Sequence, residues 1–213
     1  MRVIVDEKFD RCEKADSQII LRDLHRINRW LGGHHATRQA FRRLRPPAHF
    51  TVLDVGAASS GINLALHGAW PGAEIISLDI LQDHLEFSAG ARVVADAFRL
   101  PFRLRSVDYV YSSLFLHHFS DQEIVRLLTG FAHVARRGVV MVDLERNILA
   151  RQFLPATRWL FGWHPITVHD AKLSVNAGFA PAELHDYATR AGLAGAQVSR
   201  HAPWFRLSIT WGR

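Results

Sequence analysis

Three aspartates give the first chemical signal: Asp54, Asp79 and Asp96 each fall at the end of a short apolar run. Asp54 stands two residues before the first glycine of Gly56-Ala57-Ala58-Ser59-Ser60-Gly61. Small residues there let the backbone approach a ligand, and a helix that follows offers its first amides. A phosphate-binding loop needs lysine and a hydroxyl residue after its last glycine, where this chain has Ile62 and Asn63. A dinucleotide fingerprint needs G-x-G-x-x-G, and here the spacing is G-x-x-x-x-G. A carboxylate beside the loop would repel phosphate and accept a cationic ligand bearing an amino group. Asp79 can take both hydroxyls of a ribose from the second strand end, or cap the next helix. Asp96 can accept from an exocyclic amine, with the following amide, that of Ala97, serving a ring nitrogen. Any one acid alone says little; three at successive strand ends mark a binding site.

The elements that must position them alternate in kind. Apolar runs at 49–55, 73–80, 92–95, 107–112 and 138–144 read as strands, and amphipathic stretches at 62–70 and 121–135 read as helices between them. Short apolar strands separated by such helices predict a parallel sheet covered on both faces. A late helix at 181–191 begins on Pro181 and ends at Gly192. Two further strands, 196–201 and 205–211, are joined over Ala202-Pro203-Trp204, too short a joint for a parallel crossover, so they must be antiparallel. The expected fold is therefore α/β: a Rossmann-like, seven-stranded, mostly parallel sheet ending in an antiparallel hairpin.

In front of this lies an N-terminal helical cap, residues 1–47, before the α/β domain at 48–213, which forms a single folding unit. Ile20, Leu24, Ile27 and Leu31 recur at steps of four, three and four, one face of a helix stopped by Gly32-Gly33. A second helix, about 37–44, ends before Pro46-Pro47. Asn28 borders the apolar stripe, and its amide either faces solvent or reaches a ligand. The net charge of +6 belongs to this region: residues 17–50 hold seven arginines against one acid, Asp23. Only Trp30 and Phe41 lie among those arginines as base-stacking platforms, so they read as the solvated face of a covering helix more readily than as a nucleic-acid surface.

The remaining composition bounds the class. With 48% hydrophobic and 22% charged residues, the 213-residue chain is globular, long enough for one well-cored domain and short for two. It has no apolar run long enough to span a bilayer, and its first residues mix acids and bases where a signal peptide is apolar, which implies a cytoplasmic protein. The single cysteine, Cys12, excludes an internal disulfide framework. No metal is expected, because His34-His35 and His117-His118 are adjacent pairs whose side chains diverge.

VLDVGAASSG, the acid in ISLDI, VVADAFRLPF and VDYVYSSLFLHHFSD resemble the successive motifs of class I S-adenosylmethionine-dependent methyltransferases. The resemblance covers about residues 50–213. RDLHRINRWLGG and HDAKLSVNAGFAPAELHDYATRAGL are similar to small bacterial methyltransferases of aromatic polyketide and related secondary metabolism. It implies S-adenosylmethionine (SAM) as cofactor, with the demethylated product S-adenosylhomocysteine (SAH). Gly56, Ala57 and Ala58 would lie against the methionine part and Asp54 near its amino group. Asp79 would hold the ribose and Ile80 pack on the adenine, Asp96 and Ala97 would read the adenine edge, and Ser113 would lie beneath the cofactor. One departure bears on affinity: the family pattern is D-x-G-x-G-x-G, and Ala58 and Ser60 occupy its second and third glycine places.

The donor methyl is already activated in that chemistry, so the protein mainly aligns two reactants, and an oxygen nucleophile needs a base. His117 follows the fourth strand at the ligand edge, and His169 is followed by Asp170, which can set a tautomer or simply cap a turn. Residues 148–178 form an insertion where a lid is expected, broken by Pro155 and Pro165; its Trp159 and Trp163 either cover a flat acceptor or fill core. The function read from the sequence is methyl transfer to a small aromatic hydroxyl. The alternatives are an RNA or protein methyltransferase docking through the arginine-rich helices, and a cofactor-binding relative without turnover.

Overall fold

The computed structural model describes residues 2–5, 14–58, 61–86, 88 and 90–213; Cys12 and Ser60 lie outside the described residues. Strands β1 (His49–Val55), β2 (Gly72–Asp79), β3 (Ala91–Val94), β4 (Val107–Ser113), β5 (Ala135–Leu144), β6 (Gln197–His201) and β7 (Arg206–Gly212) form one sheet in the order β3-β2-β1-β4-β5-β7-β6. The first five run parallel, and β7 pairs antiparallel with both β5 and β6. Because β7 is reversed, its first residue, Arg206, shares a sheet edge with the last residues of β1, β4 and β5.

Alternation along the strands feeds two cores. On one face Leu53, Val110, Val139, Met141 and Ile209 pack against helices α4 (Asp121–Val134) and α7 (Pro181–Arg190), through Ile124, Leu127, Phe131 and Leu184. On the other, Val52, Tyr109, Val140 and Val142 meet helices α2 (Gly33–Leu44) and α3 (Gly61–Leu66), through Ala36, Ala40, Phe41, Ile62 and Leu66. Neighbouring residues such as Val52 and Leu53 thus serve opposite faces, as a pleated strand buried on both sides requires. Helix α4 starts on a capping box in which Ser120 and Glu123 satisfy each other's amides.

Phe41 is fully buried, with Phe50, Trp70, Tyr109 and Tyr111 around its ring. Helix α2 is therefore a layer of the main core, while α1 (Lys14–Trp30) runs over the sheet edge. The two meet at Gly32, whose φ of 78° favours glycine and whose absent Cβ would stand 2.3 Å from the Cβ of Trp204. The insertion holds two helices, α5 (Ile148–Phe161) and α6 (Pro165–Ala177). Pro165 opens α6 as expected, but Pro155 sits inside an unbroken α5. Leu154 is the only buried side chain in α5, and Arg151, four residues before the proline, is exposed, so its carbonyl is within reach of water. Among the described residues no helix is long and apolar enough to cross a membrane.

Candidate active site

A cavity of about 830 Å³ lies at the carboxyl ends of β1, β2, β4 and β5, beneath α1 and α6. All four residues of the α1 stripe, Ile20, Leu24, Ile27 and Leu31, line it, while Arg22 and Arg29 face out. Its size falls in the range of small-molecule sites, roughly 300–1,000 Å³.

The floor begins with the loop after β1. Gly56 takes φ 69°, and the amides of Gly56 and Ala57 both donate to the Leu78 carbonyl, at 2.9 and 3.0 Å. A Cβ at Gly56 would stand 2.2 Å from the Phe115 ring, so this turn admits only glycine. Ala58 adopts φ 31°, a left-handed conformation that costs an L-residue ~1–2 kcal/mol. Its amide donates to Asp79 Oδ2 at 3.1 Å, which holds the alanine where the family pattern has glycine.

Asp54 and Asp79 are buried side by side in the lining. Burial raises the Asp54 carboxyl to about 8, with the Asp79 charge adding to the effect. Burial also opposes ionisation of Asp79, but the His84 hydrogen bond and the amides of Leu81 and Ala58 outweigh it and hold its pKa below the usual value. Leu81 donates to Asp79 Oδ1 at 3.0 Å, and His84 Nδ1 lies 3.4 Å from the same oxygen. Of two adjacent carboxyls one is thus ionised and the other protonated near neutral pH. A ligand carrying a cationic amine relieves that frustration, because it supplies the counter-charge that Asp54 lacks. SAM fits this donor set: its ammonium would answer Asp54, and Asp79 retains lone pairs that ribose hydroxyls could use beyond those given to amides. Ile80 and Ser113 also line the cavity.

His117 is buried in the lining, on a 3-10 turn (Leu116–His118) after β4. Its Nδ1 lies 2.7 Å from Asp143 Oδ1 at the end of β5. Asp143 is fully buried; although burial opposes its ionisation, His117 and the Leu144 amide keep its pKa low. An ionised Asp143 sets the proton on Nδ1 and leaves Nε2 as the basic nitrogen. Asp143 also accepts from the amides of Phe115 and Leu144, at 3.2 and 2.8 Å. Beneath the turn, Arg2 donates to the carbonyls of His117, Phe119 and Ala177 and stacks over Phe179.

The other expected site residues are placed as follows. Asn28 lines the cavity, and among the described residues its Oδ1 has no hydrogen-bond partner. Asp96 accepts from the Phe98 amide at 2.8 Å, and neither it nor Ala97 lines the cavity. His169 binds Asp170 at 2.9 Å with a half-exposed ring; Asp170 lines the cavity and His169 does not. Trp159 is 84% exposed, whereas Trp163 is buried behind the lining with Ile27 and Leu154 and under the Arg26 guanidinium. The aromatic rings that do line the cavity are Tyr111, Phe115, Phe119, Phe153, Trp204 and Phe205. The sequence reading passed over Asp143, His84 and Arg206. Asp143 and Arg206 had a signal, since each is the one charge in the runs 138–144 and 205–211, and the hairpin direction places Arg206 at the ligand edge.

Comparison with known proteins finds methyltransferases similar to parts of this chain. The family model described as a methyltransferase domain matches residues 53–143. The biotin biosynthesis bifunctional protein BioHC of Cellvibrio japonicus (strain Ueda107) is 35% identical over 109 residues, 45% of this chain and 21% of that protein. A malonyl-(acyl-carrier protein) O-methyltransferase of Xylella fastidiosa (strain M23) is 30% identical over 99 residues, 43% of this chain and 33% of that protein. This chain therefore spans about a fifth to a third of the length of the curated relatives it matches. Among solved structures, human N-acetylserotonin methyltransferase in complex with SAM superposes with TM-score 0.65 at 15% identity, over 91% of this chain and 54% of that one. That likeness shows the fold.

Proposed function

We propose that this chain is a class I S-adenosylmethionine-dependent methyltransferase, which the matched family model and relatives support, and that it transfers a methyl group to an oxygen of a small, aromatic, hydroxyl-bearing acceptor. The observation that carries this reading is the His117–Asp143 pair, whose imidazole lines the same cavity as the glycine loop. When bound, SAM supplies a methyl group already activated on a sulfonium. Asp54 would receive its amino group, the Gly56–Ala58 backbone its methionine part, Asp79 its ribose and Ile80 its adenine, with Ser113 beneath. Asp96 and Ala97 remain the candidates for the adenine edge.

His117 would accept the proton of the acceptor hydroxyl on Nε2 as the C–O bond forms, and Asp143 would stabilise the resulting imidazolium. Aromatic side chains at 115, 119 and 153 suit a flat acceptor, with Asn28 at its polar margin. Trp163 would act from behind, by holding Ile27 and Leu154 in the wall, and Trp159 from the rim. His169 is the second candidate base, reached only if its ring turns inward. A small acceptor is favoured over a polynucleotide because the basic front is partly engaged: Arg26 lies on Trp30 and Trp163, and Arg43 donates to Ser199.

The test is the pH–rate profile of His117→Ala on a hydroxyarene panel. The rate should fall ~10²–10⁴-fold near pH 7 and recover toward the phenol pKa, with SAH affinity unchanged. A parental rate and profile in both His117→Ala and His169→Ala would remove the general base from the proposal.

A further inference from the structure

Arg206 is the most unusual cation in the protein. It is 2% exposed, it lines the cavity, and among the described residues Nη1 has no hydrogen-bond partner. Among the described residues its one hydrogen bond is from Nε to the Leu31 carbonyl, at 3.3 Å. A guanidinium has five N–H donors, and burying them unpaired costs far more than a single bond returns. Burial lowers its pKa only to about 10, with Asp143 and Tyr111 opposing the fall, so it stays charged at neutral pH. Asp143 attracts that charge but among the described residues gives it no hydrogen bond, since its oxygens serve His117, Phe115 and Leu144.

We propose that Arg206 anchors a carboxylate inside the cavity, and that this carboxylate belongs to the acceptor. The planar fork matches the two oxygens of a carboxylate, and an arginine that lines the cavity with Nη1 unpaired among the described residues is the donor such a group would find. The assignment to the acceptor follows from the sheet. Arg206 begins β7 and Asp54 ends β1, three strands apart in the order β1-β4-β5-β7, which is ~14 Å at the usual strand spacing. His117, held on the end of β5 through Asp143, stands between the two. The acceptor is then a hydroxy acid: its carboxylate sits on Arg206 and its hydroxyl faces His117. This rests on the methyl-transfer reading for the word acceptor, while the carboxylate site itself is readable without it.

The experiment pairs hydroxyarene and short aliphatic carboxylates with their uncharged, isosteric carboxamides. Binding is measured by calorimetry and thermal shift, with and without SAH, on the parent, Arg206→Met and Arg206→Lys. The parent should bind at least one carboxylate about 10- to 100-fold more tightly than its amide, as a charge-assisted pair implies. Arg206→Met should lose that preference and Arg206→Lys keep part of it, both with parental SAH affinity. Without ligand, Arg206→Met should melt no lower than the parent, since it removes an unsatisfied buried cation; a purely structural arginine would give a clear drop. Three results would overturn the proposal: no carboxylate outbinding its amide, a preference that survives in Arg206→Met, or a loss confined to SAH, which would hand the carboxylate to the cofactor. If SAH fails to bind the parent, it is the methyl-transfer reading that falls, and the carboxylate preference is still scored on the cofactor-free protein.

Discussion

Binding of SAH near pH 7 should release close to one proton, and Asp54→Asn should abolish that release. With the Asp54 carboxyl at about 8, only about a tenth of it is ionised at pH 7, and ionising the rest costs ~1.4 kcal/mol. Burial holds it there with the Asp79 charge adding to the effect, and the other titratable groups nearby, His84 and Tyr111, supply no fixed cation. A charge-assisted bond from Asp54 to a ligand ammonium is worth ~1.5–3 kcal/mol. The two figures nearly offset at pH 7, so Asp54→Asn should weaken SAH by less than ~1.5 kcal/mol there. The pH dependence is the sharper readout. From pH 6 to 7 the parental affinity should rise about tenfold, because bound Asp54 is ionised and free Asp54 is not, whereas Asp54→Asn should stay flat. The assay is calorimetry in two buffers of different ionisation enthalpy, which counts the protons released. A parent that releases none, or an Asp54→Asn variant that releases as many, would refute the role of a frustrated carboxyl pair in cofactor binding.

Two further outcomes concern the scaffold. Phe41→Ala should cost ~3–5 kcal/mol in urea unfolding, because its fully buried ring is part of the sheet's second core and the aromatic cluster around it cannot collapse into the space; a loss below 1 kcal/mol would mean α2 is a detachable cover. His34 is held neutral by burial, which lowers its pKa to about 4, with Arg38 and other cations contributing. Its unfolded form takes up a proton below ~6.5, so stability is present above that pH and is lost as pH falls toward 4. The loss from this group between pH 7 and 5 is about 2 kcal/mol and should disappear in His34→Gln, as unfolding at the two pH values would show.

Much of the scaffold was legible because its signals are local. Strand periods, the Pro181 start and the short joint at 202–204 each need only neighbouring residues, and they recovered the strands and the reversed hairpin. The cavity lining was legible where a strand end opens directly into it, as at Asp54 and Asp79. It was less so where tertiary packing decides. Trp159 and Trp163 share a segment and a chemistry, yet the turn of α5 into Gly162 sends one to solvent and the other behind the wall. Pro155 read as a breaker because the exposure of the carbonyl it orphans is not a property of the sequence window. The Asp143 partner of His117 lies 26 residues away, beyond any motif.

Asp143 also bears on how this protein can change over generations. Two oxygens receive three donors there: the His117 ring, the Phe115 amide and the Leu144 amide. Asparagine keeps the shape but turns one oxygen into an NH₂ that would face N–H groups, and glutamate keeps the charge but overshoots by a methylene in a site with no exposed surface. Every neighbour of that carboxylate is therefore free to drift only in ways that leave its three donors in place. New acceptor preferences would have to be written in the α1 and α6 walls and at the start of β7, while the joint between β4 and β5 is inherited whole or lost.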